Sequence, residues 1–203
     1  MAHEEQSRVQ ISELSPTKQL AFALLIFARM LPLLTVFCKD TGVDGSGCIQ
    51  AKDVAWSDME SGSRRIALYR SLNKACIKNT PDTEDYTHEM TSDALNAFLT
   101  ISGIMEFLTD GSVDHVAYIS TLATDSVYLY VADLEPGLVI TKEMEDRIAS
   151  HPLMQQELRL EKDDIEFLAA LPNQFESEAI SALKARSNNQ PSIVPLTRRV
   201  VPG

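Results

Sequence analysis

Few of the residues that usually announce chemistry are present in this chain. It has 3 cysteines, 4 histidines and 1 tryptophan in 203 residues, and only 8 glycines. Cys38, Cys48 and Cys76 are odd in number and form no Cys-x-x-Cys pair, so they suit neither a disulfide framework nor a zinc site, and a reducing compartment, the cytoplasm, is the expected location. The scattered histidines, His3, His88, His115 and His151, include no Glu-x-x-His, which a di-iron helical bundle would need on two helices. No metal and no cofactor is expected.

Basic charge is also scarce. With 18 Lys and Arg against 29 Asp and Glu the net charge is -11, and an acidic body repels nucleic acid, whose binding depends on Lys and Arg displacing counterions. Nucleic acid is therefore excluded as an expected partner. The basic residues Lys184, Arg186, Arg198 and Arg199 lie near the end, where no acid follows them, so a basic tail is expected to dock on the acidic body within or between chains.

A long uninterrupted apolar run is the exception. Leu20 to Phe37 holds 15 apolar residues in 18. Arg29 opposes membrane insertion by about 2.5–3.5 kcal/mol, Pro32 interrupts the run, and the segment reaches only the minimum span. A buried core helix is the reading taken, with no membrane partner.

What is present is helical periodicity. Apolar residues recur at spacings of three and four almost throughout, and no stretch keeps the strict alternation of a half-buried strand. The fold expected is all-α: one bundle-like domain of about seven to nine helices over residues 1–186, followed by an extended Pro-containing basic arm over 187–203. The boundaries come from local chemistry. Ser15 and Pro16 open the first strong helix, Pro32 bends or breaks it, and Gly42 ends the following piece. Further helices are expected over 49–60, 64–79 and 90–108. Gly111 and Ser112 mark a tight turn between that helix and the next, which runs to about Leu134 and stops at Pro136 and Gly137. Thr141 caps a short helix to Ala149, Pro152 starts one reaching Leu171, and Asn173 with Glu176 has capping-box spacing for a last helix to about Arg186.

The run "FALLIFARMLPLLTVFCKDTG", with "SVDHVAYIS", "HPLMQQEL" and "SNNQPSI" following in similar order, resembles the YjaG-like family of bacterial proteins of unknown function, over about Leu14 to Ile193. That resemblance implies a compact, all-helical, cytoplasmic bacterial protein and brings no catalytic residues. Leu33 and Leu34, directly after Pro32, depart from the polar and aromatic residues expected there, and the ending "LTRRVVPG" has no counterpart.

Motifs with chemistry fail on inspection. "GVDGSGCIQAKD" offers Asp44, Ser46, Gly47 and Asp53 at positions 3, 5, 6 and 12 of a calcium loop, but Gly42 at position 1 has no side-chain oxygen and Asp53 is one carbon short of the bidentate Glu. A helix connector capped by Asp44 or Ser46 is the better reading. What remains are polar residues on faces expected to be buried: Arg29 inside the apolar helix, Asp93 and Asp125 on the two central helices, and His115. They form either an internal ion pair or a polar pocket. Two functions follow. One is an interaction or regulatory protein, with an unknown protein partner or itself as a homodimer; the other is a small-molecule binder or enzyme using a buried polar pocket near Arg29.

Overall fold

The computed structural model describes residues 2–134 and 141–196. Among them are nine helices and no strand: α1 (Ala2–Glu13), α2 (Pro16–Thr41), α3 (Ser46–Ser61), α4 (Ile66–Asn79), α5 (Thr91–Asp110), α6 (Val113–Asp133), α7 (Lys142–Ser150), α8 (Pro152–Ala170) and α9 (Ser177–Asn188). The all-α expectation holds. The stop expected at Pro136 and Gly137 and the last residues of the arm, 197–203, lie outside the described residues.

The core forms around α2. Its residues from Leu20 to Phe27 are all buried, on every side of the helix, because α5, α6, α8 and α9 surround it. By length and composition α2 could cross a membrane; 72% of its apolar window is buried inside this protein, as suits a core helix. Pro32 does not break it. The helix runs through the proline from Pro16 to Thr41, and the missing N–H leaves a gap in the hydrogen-bond ladder of that turn. There the carbonyl of Arg29 accepts from the backbone N–H of Ile193 at 2.9 Å, which seats the C-terminal segment on α2 with Ile193 and Val194 buried.

α5 and α6 form the expected hairpin. Gly111, at φ 80°, ends α5 in a left-handed turn that a side chain would strain, and the Ser112 hydroxyl accepts from Asp114 N to cap α6. Gly103, in the middle of α5, brings the pair close: a Cβ there would meet Ile119 Cγ1 at 3.2 Å.

Several boundaries depart from the sequence reading. α1 was not expected as a helix; among its described residues Ile11 is its one apolar contribution to the core, and Leu14, just after its end, is a second anchor. α3 begins earlier, at Ser46. Ser15 occupies the N-cap of α2 without making the cap bond, and α9 is preceded by Glu176 with no side-chain cap, so the Asn173–Glu176 capping box does not form. Thr141 caps α7 by accepting from Met144 N, and the His151 ring caps α8 by accepting from Leu153 N. The arm also begins later than expected, since α9 continues to Asn188.

Candidate functional site

Arg29 is fully buried and closed in. Its Nη1 donates to Asp164 Oδ2 at 2.7 Å, and its Nη2 and Nε donate to Glu157 Oε1 at 2.8 and 3.1 Å. Both acids come from α8. Asp164 Oδ1 in turn accepts from Arg186 Nε of α9 at 2.6 Å and from Gln190 Nε2 at 3.3 Å. Arg186 lies over the Phe167 ring, 4.8 Å from its centroid. One polar cluster thus ties α2, α8, α9 and the C-terminal segment together. Burial works against the charged guanidinium of Arg29, but Glu157 and Asp164 outweigh it and hold its pKa above the ordinary arginine value.

A third α8 acid completes the cluster. Glu161 is buried and accepts from the Ser120 hydroxyl of α6 at 2.8 Å through Oε2, while its Oε1 has no hydrogen-bond partner among the described residues. Burial, and then the neighbouring Glu157 charge, push its pKa up to about 8 against the pull of Arg29. Charge balance agrees. Two guanidinium groups, Arg29 and Arg186, match the charges of Glu157 and Asp164, so a neutral Glu161 leaves the cluster balanced near pH 7.

The sequence reading named Arg29 and missed its three acids. They had a signal: Met154, Glu157, Glu161, Asp164, Ile165 and Leu168 all fall on one stripe of α8, at spacings of three, four, three, one and three, and all are buried. The other named residues are not brought to Arg29. Asp93 is buried in the first turn of α5, where a negative charge suits the helix dipole. Asp125 is exposed rather than buried, because the inward stripe of α6 runs through Ala123, Ser126 and Val127 and leaves position 125 on the outer face. His115 stands at the surface between Glu106 Oε2 (3.2 Å) and Asp110 Oδ2 (3.0 Å), a half-exposed charge cluster at the α5–α6 turn.

The histidines and acids do not assemble a metal centre: among the described residues no group of three or more His, Cys, Asp or Glu has the arrangement to hold an ion. The calcium-loop residues are a connector. Asp44 Oδ1 accepts from Ser46 N at 2.9 Å, and Gly45 is there for space, since a Cβ on it would lie 2.8 Å from Cys38 Sγ.

A second buried acid is held similarly in another part of the fold. Asp58 of α3 accepts from Arg65 at 2.6 and 3.0 Å and from the Tyr69 hydroxyl of α4 at 2.6 Å. Burial and then that hydrogen bond raise the tyrosine pKa.

With Arg29 closed, an open feature near it is a groove of about 780 Å³ between α2, α3 and α9, lined in part by Gln190, which also reaches Asp164. Ala28, Leu31, Pro32, Val36, Trp56 and Leu196 supply its apolar surface; Lys52, Asp53, Glu60 and Lys184 supply charge, with Lys184 Nζ bridging to Glu60 Oε2 at 2.9 Å. Because Arg186 and Gln190 anchor α9 and the segment after it to Asp164, the buried cluster fixes the α9 wall of this groove.

Comparison with known proteins agrees with the fold. A crystal structure of a DUF416 family protein from Shewanella baltica OS155 superposes with a TM-score of 0.78 at 18% identity, covering 89% of this chain and 92% of that one, a likeness of fold. No curated protein matches the chain. A family of unknown function, the coarser part of the expectation from the apolar motif, is found; the YjaG-like name rests on the motif alone. The family model described as "Protein of unknown function (DUF416)" matches residues 6–192, and the chain therefore belongs to the DUF416 family.

Proposed function

We propose that this is a helical interaction protein of the bacterial cytoplasm, and that its binding surface is the groove between α2, α3 and α9, with a second copy of the chain as the occupant. The carrying observation is the groove's composition. An apolar surface that includes Leu31, Val36 and Leu196 is lined also by two lysines and two acids, and equal numbers of both signs suit the self-complementary contact of a two-fold dimer. The guanidinium of Arg29 is paired from within by Glu157 and Asp164, and this pairing supports the α9 side of the surface.

A second reading, a small-molecule binder, is favoured by size: about 780 Å³ falls within the roughly 300–1,000 Å³ of ligand pockets. It moves the expected polar pocket from the guanidinium of Arg29 to the neighbouring groove.

Trp56 is the sole tryptophan and lines the groove, so its emission reports occupancy without a label. Emission and light-scattering mass are followed together across protein concentration. A doubling of mass with a concurrent emission shift, both lost in Leu31→Glu, supports the dimer. Constant monomer mass, with emission and melting temperature responding to a metabolite panel, selects the second reading; a ligand at a hundred times its dissociation constant adds about 2.7 kcal/mol. A monomer silent in both assays overturns both readings.

A further inference from the structure

The three cysteines, unremarkable in sequence, are gathered by the fold at the junction of α2, α3 and α4. Cys48 Sγ and Cys76 Sγ lie 3.8 Å apart, one on α3 and the other on α4, both buried. The sulfurs are already in van der Waals contact, so a bond of about 2.05 Å asks for an approach of under 2 Å. Glycine at 47 lets the start of α3 lie close against α4: a Cβ there would pack against Ala75 Cβ at 3.6 Å and lie 3.9 Å from Cys76 Sγ. The partly exposed Cys38 packs under the same connector, against Gly45.

We propose that Cys48 and Cys76 are a site of reversible oxidation, joined by a hydroperoxide into a disulfide that links α3 to α4. The Cys48 thiol hydrogen-bonds to Cys76, which holds the Cys76 thiol below its ordinary pKa, whereas that same bond and then burial push Cys48 up. Cys76, the acceptor in that 3.8 Å contact, is written as the first nucleophile, and the disulfide formed is the same if Cys48 attacks first. Its thiolate attacks one peroxide oxygen; the S–O bond forms as the O–O bond breaks, and the departing alkoxide takes up a proton and leaves as the alcohol, or as water when the oxidant is hydrogen peroxide. The Cys48 sulfur then attacks the sulfenic sulfur, its proton leaving with the hydroxyl as water. Two thiols lose two electrons and one peroxide gains them. Because the pair is buried, reagent reaches it through local opening between α3 and α4, so the reaction is slower than that of an exposed thiol but specific in its product.

The test uses the full chain and hydrogen peroxide, with alkylation of remaining thiols, intact mass and peptide mapping. The expected product is 2 Da lighter, has two of three thiols protected, shows a Cys48–Cys76 linked peptide and returns to the starting mass with dithiothreitol. Cys38→Ser retains this product; Cys48→Ser loses it. The proposal is overturned by a dominant Cys38-containing disulfide, by an intermolecular one, or by Cys48 and Cys76 both remaining alkylatable after Cys38 has been fully oxidised. These readings come from the unmodified sequence, so they stand even if a serine variant folds poorly.

Discussion

Two buried carboxylates, Asp164 of α8 and Asp58 of α3, are each held by arginine, yet their surroundings differ. Around Asp164 the first arginine, Arg29, is itself buried, on a helix with apolar neighbours on all sides, and its second acid Glu157 is buried with it. Around Asp58 the arginine side chain is 45% exposed, so water stands ready to replace it. Both clusters satisfy the same donor and acceptor chemistry. They differ in what remains when a partner is taken away: an uncompensated charge in a dry interior in one case, a rehydrated carboxylate in the other.

The sharpest way to break this comparison is to remove each arginine. Arg29→Met leaves Glu157 and Asp164 buried without their shared cation and is expected to cost about 3–5 kcal/mol in chemical denaturation. Arg65→Ala is expected to cost clearly less, and equal losses would show that both sites are equally dry. The next effect is on pH dependence. Glu161 keeps its proton in the folded state up to about pH 8, whereas its ordinary value is 4.5, so between these limits the folded chain binds a proton that the unfolded chain has released. Its contribution therefore favours folding at low pH and is lost as pH rises through that window, by at most about 1.4 kcal/mol per pH unit. Glu161→Gln keeps the shape, removes the titration and is expected to flatten the wild-type slope between pH 5 and 8. The smallest effect concerns the Asp58 site. Tyr69→Phe deletes one of its three hydrogen bonds and is expected to cost about 1.5 kcal/mol, read as a lower denaturation midpoint with an unchanged slope.

The parts of this molecule that could be read in the sequence are those decided locally. Gly42, Gly111, Ser112, Thr141 and Pro152 mark helix ends because caps and backbone angles act over a few residues. Arg29 stood out for the same reason, as a charge within an apolar helix. Its counter-ions did not, since Glu157, Glu161 and Asp164 sit in "ELRLEKDD", where alternating charge reads as a solvated face and only the stripe shared with Met154 and Leu168 shows otherwise. α1 escaped notice because two buried residues make too weak a period. Pro32 was overrated as a breaker: surrounding helices hold α2 together through the missing bond, and the C-terminal segment uses the adjacent carbonyl. The glycines of "GVDGSGC" carried no sign that two of them make room beside thiols that are distant in sequence.

The separation between Arg29 and its acids has a consequence for biosynthesis. The arginine precedes Glu157 by 128 residues and Asp164 by 135. At roughly 5–20 residues per second, a nascent chain carries its greasiest helix with an unneutralised cation for about 6–25 s before α8 is translated. Native assembly cannot finish until α8 has been translated, and during that interval holdase chaperones would find α2 their natural client.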